Sequence, residues 1–456
     1  MMPSEKERVE FDENVLVNSL LKEDLSTFRD IFLQLHPYDQ AKFFLKIEKD
    51  ARMRVYSYLS PDEMASIFEH IEEDDGGYNR FLEEMDPTFG AQMLENMYVD
   101  DAVDVLNDLN KDQVASYLTI MNKESAEEIR ELLHYEEFTA GSIMTTEYIA
   151  IHANQTVRSA MNILKNEAPE AETIYYIYVI DQEKHLVGVI SLRDLIIHDD
   201  DTMIGDIMNE RVYSVSVGDD QEEVARKMKD YDFLALPVVD FQNHLLGIIT
   251  VDDIIDVLDE EASDDYSKLA AVSDVDSSEP NPFTAAKKRL PWLIILLFLG
   301  MFTASLIGQF EDTINKVAIL AVFIPLIAGM AGNTGTQALA IAVRRLATDD
   351  LEQSSVRKIL LKEAGTGLIT GAVCGIVVTV TVFLWKQQLY LGLLVGISIL
   401  ATLTVATIAG AFVPLIMHRL NIDPAVASGP FITTINDIIS ILIYFGMATL
   451  FMNYLL

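Results

Sequence analysis

The chain has 456 residues, room for about three domains at roughly 150 residues each. Residues 286–456 hold eleven Lys and Arg against eight Asp and Glu, a formal +3. That leaves 22 basic and 63 acidic residues, a formal −41, in residues 1–285, which excludes nucleic acid and anionic bilayers as partners of this part and suits it to cations. The single cysteine, Cys374, lies in an apolar run, so disulfide frameworks and thiolate zinc sites are excluded as well.

The mean hydropathy of +0.21 is high for a chain that is 23% charged, and the segregation of charge explains it. The start, MMPSEKERVEFDENV, has no apolar signal core, so the amino terminus is expected to stay in the cytoplasm. Residues 15–135 predict short amphipathic helices. Met64, Ile67, Phe68 and Ile71 follow the helical spacing, as do Val114, Tyr117, Leu118 and Met121. DEMASIF (Asp62 to Phe68) resembles DQVASYL (Asp112 to Leu118) fifty residues on, which predicts a helical superhelix. VDDAVDVL (Val99 to Leu106) puts Asp100, Asp101 and Asp104 around one helical turn, either as cation ligands or as acids at an exposed helix start, where the dipole favours them.

Residues 139–260 hold a clearer repeat. YVIDQEKHLVGVISLRDLI answers PVVDFQNHLLGIITVDDII, with Asp181, Gly188 and Asp194 each 59 residues before Asp240, Gly247 and Asp253. Upstream, Val157 and Met161 pair with Val224 and Met228 at 67 residues, with the difference assigned to the loop NEAPEAET (Asn166 to Thr173). Each copy predicts strand, helix, strand, turn, strand, helix, and two in tandem resemble a CBS-domain pair. Such pairs often bind adenine nucleotides through a Ser or Thr and an Asp three residues later, here Ser191 with Asp194 and Thr250 with Asp253. The same residues also suit helix capping.

A dense acid cluster follows: Asp252, Asp253, Asp256, Asp259, Glu260, Glu261, Asp264 and Asp265 within fourteen residues. Helical spacing puts Asp253, Asp256 and Glu260 on one face and leaves Ile254, Ile255, Leu258 and Ala262 for a core. Asp220, Glu222 and Asp232 add acid earlier. Carboxylates held about 4 Å apart cost several kcal/mol at an effective dielectric near 20, and a divalent cation removes that cost. Oxygen-only ligands suit Mg²⁺ or Ca²⁺ and not zinc or copper.

Five apolar stretches, near 290–310, 317–342, 364–385, 389–417 and 429–454, are long enough to span a bilayer. With the amino terminus inside, nine Lys and Arg flank the cytoplasmic ends and two the outer ends, which predicts an external carboxy terminus. The second stretch holds Pro325 and GMAGNTGTQ (Gly329 to Gln337), read as broken polar backbone in a protein interior or beside water, with a close helix seam of small residues as the alternative. The fourth ends at Pro414 and leads into NIDPAVASGP (Asn421 to Pro430), a re-entrant or loop-like connection. The fifth carries one acid, Asp437, at a cost of about 2.5–3.5 kcal/mol at mid-span. No Lys or Arg within a span is placed to pair with it, and Thr433, Thr434 and Asn436 add oxygens. This set reads as a cation site, with a protonated structural acid as the alternative. Two copies around a twofold axis would line one path with two Asp437 carboxylates.

At this point the chain resembles the MgtE family of magnesium channels and transporters over nearly its whole length. ETIYYIYVID (Glu172 to Asp181), DQEEVARKMKDYDF (Asp220 to Phe233), AGNTGTQ (Ala331 to Gln337) and DPAVASGPFITTIND (Asp423 to Asp437) carry the resemblance. It implies a multidomain fold: an all-α superhelical N-terminal magnesium-sensing domain (1–137), an α/β tandem CBS pair (138–262), a connecting plug helix (263–288) and a five-helix α transmembrane bundle (289–456). It implies a homodimer in the plasma membrane lipid, with the pore on the dimer axis, for magnesium uptake gated shut by cytosolic Mg²⁺. Asp437, with the backbone of Thr433, matches the pore site and Asp423 a second acidic position; Asn333, Thr434 and Asn436 are pore-lining candidates. Regulatory ions would fall to Asp220, Glu222, Asp232, Asp253, Asp256, Glu261, Asp264 and Asp265, and to Asp100, Asp101 or Asp104. ATP would be bound by Tyr176, Arg193 and Asp194. The competing readings are a CBS- or nucleotide-regulated secondary carrier for another divalent cation or solute, and a metal-dependent membrane hydrolase, for which no nucleophile motif is found.

Overall fold

The structure is a computed structural model, which describes residues 13–71, 77–272, 282–347, 356–420 and 422–455. The chain divides into two compact units, Met1–Glu260 and Glu261–Leu456.

In the first unit, ten helices run from Glu13 to Leu132 among the described residues. Helices two apart in sequence pack on each other: Pro37–Lys46 on Pro61–Phe68, that on Pro87–Leu94, and that on Lys111–Ile120. This is the superhelix the sequence repeat predicts. The repeated segments also share a start. Ser60 and Glu63 form a capping box before Pro61–Phe68, and Asn110 and Gln113 form the same box before Lys111–Ile120. Fully buried Phe28, Phe32, Phe44, Phe68 and Phe81 fill the interior.

The two CBS copies follow. In the first, β1 (Ala150–His152) pairs parallel with β2 (Tyr176–Ile180), which pairs antiparallel with β3 (Leu186–Ser191). In the second, β4 (Val215–Ser216), β5 (Ala235–Val239) and β6 (Leu245–Thr250) repeat this order. Tyr178 faces Val189 and, 59 residues on, Pro237 faces Ile248. Even the register irregularity recurs, between Val179 and Ile180 and between Val238 and Val239. Upstream, the expected offset of 67 is wrong. Ile151 on β1 answers Val215 on β4, and Thr156 and Asp220 both cap eleven-residue helices, so the offset is 64. Ala160 therefore answers Val224, and Leu164 answers Met228. The first copy is longer by five residues, and these fall between its helix Val157–Glu167 and β2. Apolar residues recur every three or four positions on both helices, which allowed the false alignment.

The second copy ends in a helix, Val251–Ala270, that continues across the boundary between the units. Ile254 and Val257 are its buried residues in the first unit, whereas Ile255 and Leu258, expected in a core, are exposed. The segment expected as a separate plug helix over 263–288 begins as the end of this one. Residues 273–281 lie outside the described residues, and the next helix starts at Pro282.

In the second unit, five helices among the described residues are long and apolar enough to cross a membrane: Ala285–Gly308, Ala318–Leu346, Val356–Lys386, Leu389–Arg419 and Gly429–Leu455. They are referred to below as spans one to five. Span two opens with a 3-10 turn, Ala318–Phe323, and is then α-helical through Ile324–Ala347. The expectation of broken backbone at GMAGNTGTQ is therefore not met. Pro325 stands in the first turn, where a missing N–H costs nothing, and Gly332 and Gly335 form a packing seam, whereas Gly329 faces open space. Span four likewise continues through Pro414 to Arg419. In the NIDPAVASGP connection, Asn421 lies outside the described residues, and Pro424–Val426 is one short 3-10 turn. Spans three and four pack most closely. Gly367, Gly371 and Gly375 recur every four residues, and a methyl at each would lie 2.7 Å from Thr404 Cα, 2.9 Å from the Leu400 oxygen and 2.6 Å from the Gly396 oxygen. Small residues at this spacing let two backbones approach.

Candidate functional site

The first cluster of functional groups forms within the first unit, where the helical domain meets the CBS pair. The stretch Thr145–Glu147 is tied to β6 by hydrogen bonds between Thr145 and Ile248, and the Glu172 N–H donates to the Glu147 carbonyl at 3.0 Å. This places Glu172, in the longer connection of the first copy, over the start of Val251–Ala270. There Thr250 donates its hydroxyl to Asp253 Oδ2 at 2.5 Å. Carboxylate oxygens of Glu172, Asp252 and Asp253 all lie within 4.8 Å of one another. From the helical domain, Val99–Asn107 presents Asp100, which is buried, and half-buried Asp101, while Asp104 is exposed.

The electrostatics match this geometry. Burial, then Asp253, Asp101 and Glu172, hold the Asp100 carboxyl well above the usual carboxylate range. Burial, Glu69 and Asp253 push Asp101 up to about 8. Burial and Asp253 push Glu172 up to about 8, against hydrogen bonds from Thr250 and Thr145. Asp253 rises to about 6 by burial, opposed by its Thr250 hydrogen bond and reinforced by Asp252. Among the described residues, Asp100 Oδ1 and Glu172 Oε2 are buried with no hydrogen-bond partner. Buried acids without donors are costly, and hard oxygen donors gathered this closely fit a divalent cation. An octahedral Mg²⁺ with ligands at about 2.1 Å spans about 4.2 Å between opposite ligands, so a small closure or one water completes the fit.

Sequence reasoning found Asp100, Asp101 and Asp253 but missed Glu172, Glu147 and Glu69 as their companions. The usable signal was Glu172 itself, an acid in the connection that only one copy possesses. Other expected ligands stand elsewhere. Asp220 caps its helix through the Glu222 and Glu223 N–H groups. Glu222 pairs with Arg226 at 2.9 Å, and Asp232 closes the same helix in a left-handed conformation, φ 54°. Asp256 lies one turn beyond Asp252, and burial, Asp252 and Asp259 raise its pKa. Glu261 and Asp265 are half-buried further along that helix.

The expected nucleotide residues are brought together. Tyr176 pairs in register with Ser191, and Ser191 caps the helix carrying Arg193 and Asp194. Ser191 Oγ accepts from the Asp194 N–H at 3.2 Å, so the predicted cap is present, and its hydroxyl donates to Asp194 Oδ2 at 2.6 Å.

In the second unit, span two is laid against the turn of span five that carries Asp437. A methyl at Gly332 would lie 2.7 Å from Thr433 Cγ2, and one at Gly335 would collide with the Asn436 amide. The Thr433 and Thr434 hydroxyls donate to the Gly429 and Pro430 carbonyls at 2.9 Å each, which leaves their oxygen lone pairs for another partner. Asp437 is half-buried, Asn436 is fully buried with neither amide atom bonded among the described residues, and Asn333 is exposed. Among the described residues, Asp437 has no ion-pair partner. Asp423 and Asp264, both expected as metal ligands, instead share the ammonium of Lys268.

This order of parts matches three family profiles: an MgtE intracellular N domain over residues 35–138, CBS domains over 140–200 and 204–260, and the MgtE profile, described as a divalent cation transporter, over 324–447. Magnesium transporter MgtE of Enterococcus faecalis is 55% identical over 440 residues, covering 96% of this chain and 97% of that one. The chain belongs to the MgtE family. MgtE of Bacillus subtilis is 39% identical over 98% of this chain and 99% of its own, and that of Thermus thermophilus 37% over 96% and 98%. Among solved structures, the soluble part of a magnesium transporter is 58% identical, with a TM-score of 0.53, over 55% of this chain and 98% of that one. The cytosolic domain of the Mg²⁺ channel MgtE in complex with ATP is 36% identical, with a TM-score of 0.51, over 54% of this chain and all of that one. MgtE proteins are membrane transporters, so the hydrolase reading falls.

Proposed function

We propose that the chain takes up Mg²⁺ across the plasma membrane as a homodimeric channel, with Asp437 in the path and the amino terminus cytoplasmic. In this reading, cytosolic Mg²⁺ closes it at the acids between the helical domain and the CBS pair. The observation that carries the reading is the gathering of acids from two domains: buried Asp100, half-buried Asp101, Glu172 and Asp253, and exposed Asp252 at the edge. Without a cation, unit charges about 4 Å apart repel by about 4 kcal/mol at an effective dielectric near 20, so the two domains loosen. A bound divalent ion supplies the positive charge that lets these carboxylates stay ionised and close together, and the helix that starts at Val251 is then held against the helical domain. Asp220, Glu222, Asp232, Asp256, Glu261 and Asp265 serve as further regulatory ligands where cytoplasmic domains meet.

At the pore, the Asp437 carboxylate and the Thr433 carbonyl face a hydrated ion, with Thr434, Asn436 and Asn333 lining the path. The membrane potential drives entry at about 2.3 kcal/mol per charge per 100 mV. ATP binds the first CBS copy at Tyr176, Arg193 and Asp194. The test is Mg²⁺ flux into proteoliposomes reported by an enclosed dye. Asp437→Ala should abolish flux while the protein still inserts and elutes as a dimer. Retained flux would remove Asp437 from the path.

A further inference from the structure

The helix Val251–Ala270 carries eight acids and one basic residue, Lys268, in its last turn. That turn belongs to the same compact unit as the spans, and two kinds of contact fasten it there. Leu269 packs on a small cluster of buried Leu339 of span two, Ala427, and Ile432 of span five. Beside it, Lys268 Nζ lies 2.5 Å from Oδ2 of Asp423, in the connection that leads into span five. The same ammonium pairs with Asp264 one turn earlier. The three side chains are each about one-third to one-half exposed, so the bridge is partly open to water. Burial works against the Lys268 charge, but its hydrogen bonds to Asp264 and Asp423 outweigh burial and raise its pKa, so it stays an ammonium at any physiological pH.

We propose that Lys268 is a built-in counter-ion that latches the acidic helix to the Asp423 connection. In the closed protein, a lysine and not Mg²⁺ then neutralises Asp264 and Asp423. This rests on the magnesium-closed pore proposed above and adds a residue to it. The helix has the ion-binding acids Asp252 and Asp253 in its first turn and the latch in its last. The last turn meets span five directly through Leu269 on Ile432, and Lys268 adds a charged link to the connection that leads into that span. Lys268 is thus a positioning residue: it touches no transported ion, and its loss weakens the link and not the path.

The test is recording from excised patches of the full-length channel, with Mg²⁺ varied on the cytosolic face. Lys268→Gln should leave the current without Mg²⁺ unchanged and raise the Mg²⁺ needed for half-closure about two- to fivefold, as expected for loss of a partly exposed ion pair. Lys268→Arg should restore the wild-type concentration. Asp423→Asn, read on closure alone, should shift the same way, and the double variant should shift no further than the larger single one. If the wild type itself is not closed by Mg²⁺, the reading of the whole protein fails. If the wild type closes and Lys268→Gln closes at the same concentration, the latch alone is overturned. A fall in the concentration needed would overturn it too, because Lys268 would then be competing with Mg²⁺ for Asp264 and Asp423.

Discussion

Glu172 is delivered to the acid cluster by backbone: its N–H is fixed on the Glu147 carbonyl, while the Thr250 hydroxyl donates to Asp253 and the Thr145 hydroxyl to Glu147. Its charge is therefore not free to leave when no cation is bound, which gives one substitution two opposite effects. Glu172→Gln keeps the shape and removes the charge. Without metal it should stabilise the soluble part at pH 8, by relieving repulsion with Asp253 and Asp101. In the full-length channel it should raise the Mg²⁺ needed for closure on the order of tenfold, because the site has one charged ligand fewer. Melting in EDTA and closure in patches check the two halves separately. A variant that melts lower in EDTA would show Glu172 to be a structural hydrogen-bonding group and not a strained ligand.

At the scale of elements, the spans show why some of this fold was legible in the sequence and some was not. Length and apolarity found all five apolar helices, because a bilayer sets a minimum run that few other structures need, but the third begins at Val356, eight residues before the expected start at 364. The CBS strands were legible because Gly188 and Gly247, Asp181 and Asp240, recur at one offset. The helices between them were misaligned because helical apolar spacing tolerates a shift of three. GMAGNTGTQ was misread because glycine and polar residues weaken a helix in water, yet inside a bundle Gly332 and Gly335 let span two approach Thr433 and Asn436. The acid cluster was half legible: runs of Asp are visible, but which acids converge depends on how the helical domain docks on the CBS pair. The glycine stripe of span three gives a direct test. Gly371→Val places atoms against the Leu400 backbone and should lower stability in detergent by about 1–3 kcal/mol. Gly446, which has nothing within 4 Å of its missing methyl, should accept Ala with no measurable change in melting temperature.

For the whole molecule, the −41 of the first 285 residues sets a pH dependence whose sign follows from the buried acids. Asp253 sits at about 6, and Asp101 and Glu172 at about 8, against ordinary carboxylate values of about 4. The folded protein therefore holds more protons than the unfolded chain between about pH 4 and 8, so stability is full below about pH 4 and is lost as pH rises through 6 to 8. Mg²⁺ replaces those protons. The soluble part, residues 1–272, is the material for the measurement, since the soluble part of a relative has been crystallised alone. In EDTA its melting temperature should fall steadily from pH 5.5 to 8.5. A domain of this size moves about 2–4 °C for each kcal/mol, so the trend is readable. With saturating Mg²⁺ the slope should flatten or reverse, because the acids bind the ion in their ionised form and binding stabilises the folded state by mass action. Asp253→Asn should flatten the slope in EDTA and shrink the Mg²⁺ effect together. Parallel curves with and without Mg²⁺ would mean that the ion does not meet these acids, and the closing signal would have to enter elsewhere in the molecule.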